Sequence, residues 1–377
     1  MVTMRPLRKS NPRHGSRRGA MLATSSDELG LALDDVVVVF ACNERFVPYL
    51  SVALQSIIEN ASPERRYDII VLTRDITPAS ILTITRQADV PNVFIGFLDV
   101  DAALGDLELP HHGHFRPETY FRLLAPSLLA NVDKAIYLDS DIVVNADLAE
   151  LYDTDVTGCL LGATRDADTI GQSHGYDVTV RGYLKDELGL SDPDSYFQAG
   201  VLLMNLEEFR RQTTPQQLLE LSTTRMWRWL DQDVLNKVAD GHYVRIHMKW
   251  NYLYDWEFMR RSHIVVHAPA DVQAEYDEAR RDVRIAHYAG PDNRPWLYPR
   301  CDLAGLFWRY ASDSPYLEEL RAELEESHHS TDGILTRFKA LVFYTGAMPT
   351  FDLCYPVGSA RRRGMIKGYQ FLGGNIG

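Results

Sequence analysis

The sequence predicts an α/β domain built on a mostly parallel sheet, and three observations carry that prediction. Short apolar runs alternate with amphipathic segments through the first part of the chain, which is the rhythm of βαβ units. The runs are apolar throughout, as strands buried on both faces are. One of them, Ala135-Ile-Tyr-Leu-Asp-Ser-Asp-Ile-Val-Val144, breaks at two carboxylates, Asp139 and Asp141. Acids in mid-strand are costly without a cation or strong hydrogen bonds. The strand is therefore expected to end at Asp139, placing both carboxylates at the sheet's carboxyl edge, where open α/β sheets bind ligands.

The elements follow in order. Residues 1–34 read as a disordered Arg/Ser/Gly-rich lead, and order is expected from Asp35, in a buried strand ending at Phe40. Pro48 to Asn60 reads as a helix with Leu50, Ala53, Leu54 and Ile57 on one stripe. A strand over Tyr67 to Leu72, a helix over Pro78 to Ala88 and a strand over Val93 to Phe97 come next. Pro117 to Leu129 is expected to be one helix, leading into a fourth strand, Lys134 to Leu138. Cys159 to Thr164 and Gly200 to Asn205 read as strands joined by a long polar segment, Asp166 to Ser195, read as a loop that folds over the site. A helix over Asp231 to Val238, strands over Tyr243 to Ile246 and Val283 to Ala286, and helices over Leu303 to Tyr310 and Tyr316 to Glu326 complete the pattern. This divides the chain into a lead (1–34), a main domain (35–300) and a helical extension with a basic tail (301–377).

Composition narrows the function classes. A net charge of −13 over 377 residues leaves no general basic field, so nucleic acid is not an expected partner. Basic residues gather at the ends: Arg5, Arg8, Lys9, Arg13, Arg17 and Arg18 near the start, Arg361, Arg362, Arg363 and Lys367 near the finish. Cys42, Cys159, Cys301 and Cys354 lack the spacing of zinc or redox pairs and read as reduced thiols of a cytoplasmic protein. The longest apolar run, Val36 to Cys42, is far short of the roughly 20 residues that span a bilayer, and the basic start lacks the apolar core of a secretory signal.

Paired hard oxygens at a sheet edge suit Mg²⁺ or Mn²⁺ carrying phosphate oxygens. Two chemistries share the Asp-x-Asp pattern. In nucleotide-sugar glycosyltransferases the acids hold a metal that bridges a diphosphate; in aspartyl-phosphate phosphatases the first acid is a nucleophile. A phosphatase would place the pair after its first strand, whereas here it follows the fourth. The bland reading is a capped strand-to-loop turn, since Asp is common in turns.

Five further segments decide between them: Phe40-Ala-Cys-Asn-Glu-Arg-Phe46, Thr119-Tyr-Phe-Arg-Leu123, Tyr196-Phe-Gln-Ala-Gly-Val-Leu-Leu-Met-Asn205, Asp231-Gln-Asp-Val-Leu-Asn236 and His287-Tyr-Ala-Gly-Pro-Asp-Asn-Arg-Pro-Trp296. In this order, around the Asp pair, they resemble glycosyltransferase family 8, the group of lipopolysaccharide galactosyl- and glucosyltransferases and glycogenin, over roughly residues 35–300. The resemblance implies a GT-A fold, a Rossmann-like nucleotide-binding domain with a mixed central sheet. It also implies a UDP-glucose or UDP-galactose donor, a glycan or lipid-linked acceptor and transfer with retention of anomeric configuration. Asp139, Asp141 and His287 are then the metal ligands, and two carboxylates with one imidazole favour Mn²⁺, with Mg²⁺ as the alternative.

By the same resemblance, Ala41, Asn43 and Phe46 contact the nucleoside, with Phe46 stacking on the base, and Ser140 lies between the metal acids. Arg122 and Asp231 surround the donor sugar, and Gln232 faces its anomeric carbon. An amide is a poor covalent nucleophile, so same-face attack fits better than double displacement. Gln198 and Ala199 stand where relatives have Asn followed by Ala or Ser, and the extra methylene of Gln198 is expected to push its amide toward the sugar. Arg294, after Gly290, takes the place of a family lysine and is expected to reach the diphosphate. The plain alternatives are a structural ion pair for Arg122, a satisfied structural imidazole for His287 and a core aromatic for Phe46.

Weaker patterns remain. His111, His112 and His114 read as solvent-facing rather than metal-binding, and Trp227, Trp229, Trp250 and Trp256 as packing or an acceptor groove. The basic C-terminal cluster, interleaved with Met365, Ile366, Tyr369, Phe371 and Leu372, suits weak contact with an anionic cytoplasmic leaflet. A degenerate nucleotide-sugar binding protein is the non-enzyme alternative; it predicts loss of metal ligands, and all three are present.

Overall fold

A computed structural model describes residues 22–31, 35–104, 117–255, 259–290, 294–299 and 301–330. In chain order its strands are β1 (Leu22–Ala23), β2 (Val36–Ala41), β3 (Tyr67–Thr73), β4 (Val93–Asp99), β5 (Lys134–Leu138), β6 (Ile142–Val144), β7 (Leu161–Arg165), β8 (Phe197–Asn205), β9 (Val244–Arg245), β10 (Tyr252–Leu253) and β11 (Ile285–His287). They form two sheets, one of order β1-β4-β3-β2-β5-β8-β7-β9 and a smaller one of order β10-β11-β6. The first five strands of the large sheet run parallel, while β8 is antiparallel to both β5 and β7. The expected α/β architecture on a mostly parallel sheet is therefore present.

The parallel strands are buried along their length because helices cover both faces, which is why their sequences read as unbroken apolar runs. The helix Val47–Asn60, with Pro48 in its first turn, lies against this sheet through Leu50, Ala53, Leu54 and Ile57. Its polar side chains serve the small sheet. Ser56 Oγ accepts the Val144 backbone N–H at 2.9 Å and Asn60 Nδ2 donates to the Val144 carbonyl at 3.2 Å, so the open edge of β6 is satisfied by a helix instead of another strand.

Three expectations are corrected. Regular structure starts before Asp35: β1 adds to β4 in parallel, followed by a short helix, Ser26–Leu29, that ends on Gly30 in the left-handed conformation. The single helix expected over Pro117 to Leu129 is a 3₁₀ segment, Pro117–Leu124, and a separate short α-helix, Ala125–Leu128. Pro126 has no N–H to donate, so a continuous helix would lose a bond there, and the residue sits instead in a new first turn. The polar segment after Asp166 is not a loop but a string of helical turns, Ala167–Gly171, Gln172–Tyr176, Val178–Gly182 and Tyr183–Glu187.

The C-terminal helices Ala304–Ala311 and Leu317–Ser330 join the main core, where Phe307 and Tyr310 pack in the same cluster as Tyr49, Tyr288 and Trp296. Tyr49 Oη donates to the Glu323 carboxylate at 2.6–2.7 Å, tying the last described helix to Val47–Asn60. His111, His112, His114, Trp256, Cys354 and the basic cluster at 361–367 lie outside the described residues.

Candidate active site

β5 ends at Leu138 and β6 begins at Ile142, so Asp139 and Asp141 occupy the step between the two sheets, at the carboxyl edge of the large one. The small sheet supplies the third group. β11 pairs antiparallel with β6, setting His287 opposite Ile142, and the Tyr288 N–H donates to the Asp141 carbonyl at 2.9 Å. His287 Nε2 then lies 3.3 Å from Asp141 Oδ1 and 3.7 Å from Asp139 Oδ2, and one ligand atom from each residue falls within 4.8 Å of the others. Two carboxylates and an imidazole so placed fit a divalent cation, whose charge would relieve the crowding of the two acids.

Gly200, in β8, makes this convergence possible. Its carbonyl accepts the Asp139 N–H at 2.8 Å, and a Cβ on it would overlap the His287 ring and sit 2.8 Å from Asp139 Oδ2. Gly200 was not singled out in the sequence, although Gln-Ala-Gly at a strand start is a visible signal of close approach.

Arg122 holds the other side of Asp139. Buried at 3 % exposure, it donates to Asp139 Oδ1 at 2.8 Å, pairs with Asp231 Oδ2 at 2.9 Å, and donates to the carbonyls of Thr119 and Ala199. Its guanidinium also lies 4.3 Å from the centre of the Tyr137 ring. The structural ion pair is thus present, and these contacts leave Arg122 a clamp between two acids. Burial raises the Asp231 carboxyl to about 6 despite Arg122 and a hydrogen bond from Thr119. Burial acts the same way on Asp141, but His287 and Arg294 outweigh it and hold that carboxyl well below the usual range.

Gln232 is anchored at both ends of its amide: Oε1 accepts the Ala199 N–H at 2.9 Å, and Nε2 donates to Asp166 Oδ2 at 3.0 Å and Tyr196 Oη at 3.2 Å. Asp166 is a residue the sequence reading missed; it also caps the next helical turn by accepting from Asp168 and Thr169. Gln198 Oε1 is held by the Gly200 N–H and by Asn251 Nδ2, so its amide oxygen turns toward Asn251. Asn251, also missed, accepts from His287 Nδ1 at 2.9 Å.

At the end of β2, the Ala41 carbonyl accepts from Ser140 Oγ at 3.2 Å, and Asn43 Oδ1 accepts the Phe46 N–H at 3.1 Å, capping the turn that carries Phe46. Phe46 is half-buried with its edge on Tyr49. Arg294 Nε donates to the Gly290 carbonyl at 2.6 Å, which aims the guanidinium at Asp141, with Nη2 3.5 Å from Oδ2. Trp250 and Trp227 are buried core side chains and Trp229 packs on Tyr183 and Tyr196. Among the described residues no helix is long and apolar enough to cross a membrane.

Comparison with known proteins gives a consistent picture. The family model described as Glycosyl transferase family 8 matches residues 37–299. Glycosyltransferase GlyF of Streptococcus pneumoniae is 25% identical over 276 residues, covering 72% of this chain and 60% of its own. The galactosyltransferase LgtC, solved with donor and acceptor sugar analogs, superposes with a TM-score of 0.59 at 27% identity, over 77% of this chain and 100% of its own. The bifunctional glycosyltransferase WbbM superposes with a TM-score of 0.68 at 26% identity, over 77% of this chain and 52% of its own. The expected GT-A fold is the fold these neighbours share.

Proposed function

Because the chain belongs to glycosyl transferase family 8, we propose that it moves a hexose, glucose or galactose, from a UDP-sugar to a glycan or lipid-linked glycan acceptor, with retention and in a Mn²⁺-dependent reaction. The observation that carries this reading is the convergence of Asp139, Asp141 and His287 at the sheet edge, with Arg294 beside them. When bound, Mn²⁺, or Mg²⁺ in its place, neutralises a diphosphate leaving group. The chain's own groups do the rest. Asp139, Asp141 and His287 hold the ion, Arg294 takes further phosphate oxygens through its planar fork, and Ser140 with the β2 end at Ala41, Asn43 and Phe46 receives the nucleoside.

Arg122, Asp231, Gln198, Ala199 and Gly290 are assigned to the sugar end of the site, Arg122 by fixing Asp139 and Asp231 in place. Retention is supported by the character of Gln232: an amide fixed at both ends offers no carboxylate for a covalent intermediate. The two acids that flank it on that helix are committed elsewhere, Asp231 to Arg122 and Thr119 and Asp233 to Tyr183 and Tyr196. A phosphatase reading finds no support, because Asp139 is tied through Oδ1 to Arg122 and Tyr137 where a free nucleophile is needed. The acceptor would lie at the cytoplasmic side, where the basic segment 361–367 would give weak contact with the inner leaflet.

A donor screen tests this. UDP release should appear with UDP-glucose or UDP-galactose plus Mn²⁺ and increase with acceptor; Asp141→Asn or His287→Ala should cost several kcal/mol of transition-state stabilisation. Full turnover in excess chelator, or an inverted product by NMR, would overturn it. Donor binding without any release would instead favour a degenerate binding protein. Pelleting with anionic vesicles, equal for the intact chain and one ending at Ser359, would remove the membrane contact.

A further inference from the structure

We propose that Asn251 is the positioning residue of His287 and that Gln198 locks it. The three side chains form a relay that decides which ring nitrogen of His287 faces the two carboxylates. The relay starts from an atom whose role cannot change. The Gly200 backbone N–H can only donate, and it meets the Gln198 amide at 2.5 Å, so the atom it meets is Oε1. Asn251 approaches that same oxygen at 2.6 Å and therefore offers Nδ2–H. Its Oδ1 is left for His287 Nδ1 at 2.9 Å, which makes Nδ1 the protonated nitrogen of the neutral ring. Nε2 is then the nitrogen that faces Asp141 and Asp139, the side on which its lone pair would meet a bound cation.

Reversing any link would set two donors or two acceptors against each other. Asn251 is 2 % exposed and His287 1 %, so water has little access to repair the mismatch. A ligating imidazole is commonly oriented in this way, by a partner on its other nitrogen. The length of Gln198 is what closes the relay here: from the strand it folds back to the N–H two residues on and still reaches Asn251. This gives Gln198 a use apart from the sugar choice expected of it.

The test compares the whole chain with Asn251→Ala, Gln198→Ala and, as the floor, His287→Ala. The first readout is the ¹⁵N spectrum of His287 in histidine-labelled protein without metal, at a pH where the rings are neutral, assigned by its loss in His287→Ala. The second is Mn²⁺ affinity from the EPR signal of free ion. The wild type should show the Nδ1–H tautomer. Asn251→Ala should lose that preference and bind Mn²⁺ 10- to 100-fold more weakly, while Gln198→Ala should show a smaller change of the same sign. An Nε2–H tautomer in the wild type, or unchanged tautomer and affinity in Asn251→Ala, would overturn the relay. If Asn251→Ala does not fold, the wild-type tautomer and Gln198→Ala carry the decision. The affinity arm rests on the metal reading above, whereas the tautomer arm does not. A wild type that binds no Mn²⁺ therefore rejects the metal and leaves the spectrum to judge the relay.

Discussion

Gly200 and Asp231 show how single residues shape the site from opposite directions. Gly200 acts by what it lacks. A methyl group there would strike His287 and Asp139, so Gly200→Ala should reduce turnover at least 100-fold, on the order of a 1 Å misplacement of reacting groups, while the circular dichroism spectrum stays native. Wild-type activity in that variant would show that the triad is not the working site. Asp231 acts by an ionisation held off by burial. Its folded carboxyl titrates at about 6 against an ordinary 3.8, so the folded state binds that proton more tightly than the unfolded chain. The resulting stability is fully present below about pH 4 and is lost as the pH rises through about 6. The Asn variant cannot ionise. The stability of the wild type relative to Asp231→Asn should therefore fall by about 3 kcal/mol between about pH 4 and pH 7 in chemical denaturation. A difference that stays flat with pH would refute the burial argument.

At the scale of elements, the helix Leu230–Ala239 is held in place at its start by a buried carboxylate. Leu230 adopts a φ of 44°, in the left-handed region that costs a branched residue roughly 1–2 kcal/mol. Asp233 offsets this by accepting from Trp229 N at 2.9 Å, Tyr183 Oη at 2.5 Å and Tyr196 Oη at 2.7 Å, and so turns Asp231 and Gln232 toward the site. Asp233→Ala strands three donors and should cost about 2–4 kcal/mol in urea unfolding; a loss under about 0.5 kcal/mol would mean the start is held by packing alone. The buried strands were legible as unbroken runs, and β5 falls on Lys134–Leu138 as expected. The turns after Asp166 were not, because Asp166, Asp177 and Asp192 read as loop formers while each caps a helical turn by accepting an N–H two residues on. The triad could be proposed from motifs, but Asn251 lies 36 positions from His287 and is brought to it only by the pairing of β10 with β11. No local period records such a contact.

On the scale of the whole molecule, the described chain is two sheets bridged by one helix, with β1 extending the large sheet at one edge and the C-terminal helices closing the other side of Val47–Asn60. The candidate metal ligands divide along the same line: Asp139 follows the last residue of β5 in one sheet, and His287 belongs to β11 in the other. An ion held between them is a rivet across a seam. Its occupancy should register as heat resistance, because a ligand that binds only the folded form adds about 2.7 kcal/mol at 100 times its dissociation constant. Mn²⁺ alone, with no sugar nucleotide, should raise the melting temperature of the wild type and leave Asp141→Asn where it was; equal shifts in both would place the ion elsewhere. The same seam means that heating the empty protein should loosen the small sheet from the large one before either unravels, so that the capacity to take up Mn²⁺ fades at a lower temperature than secondary structure does.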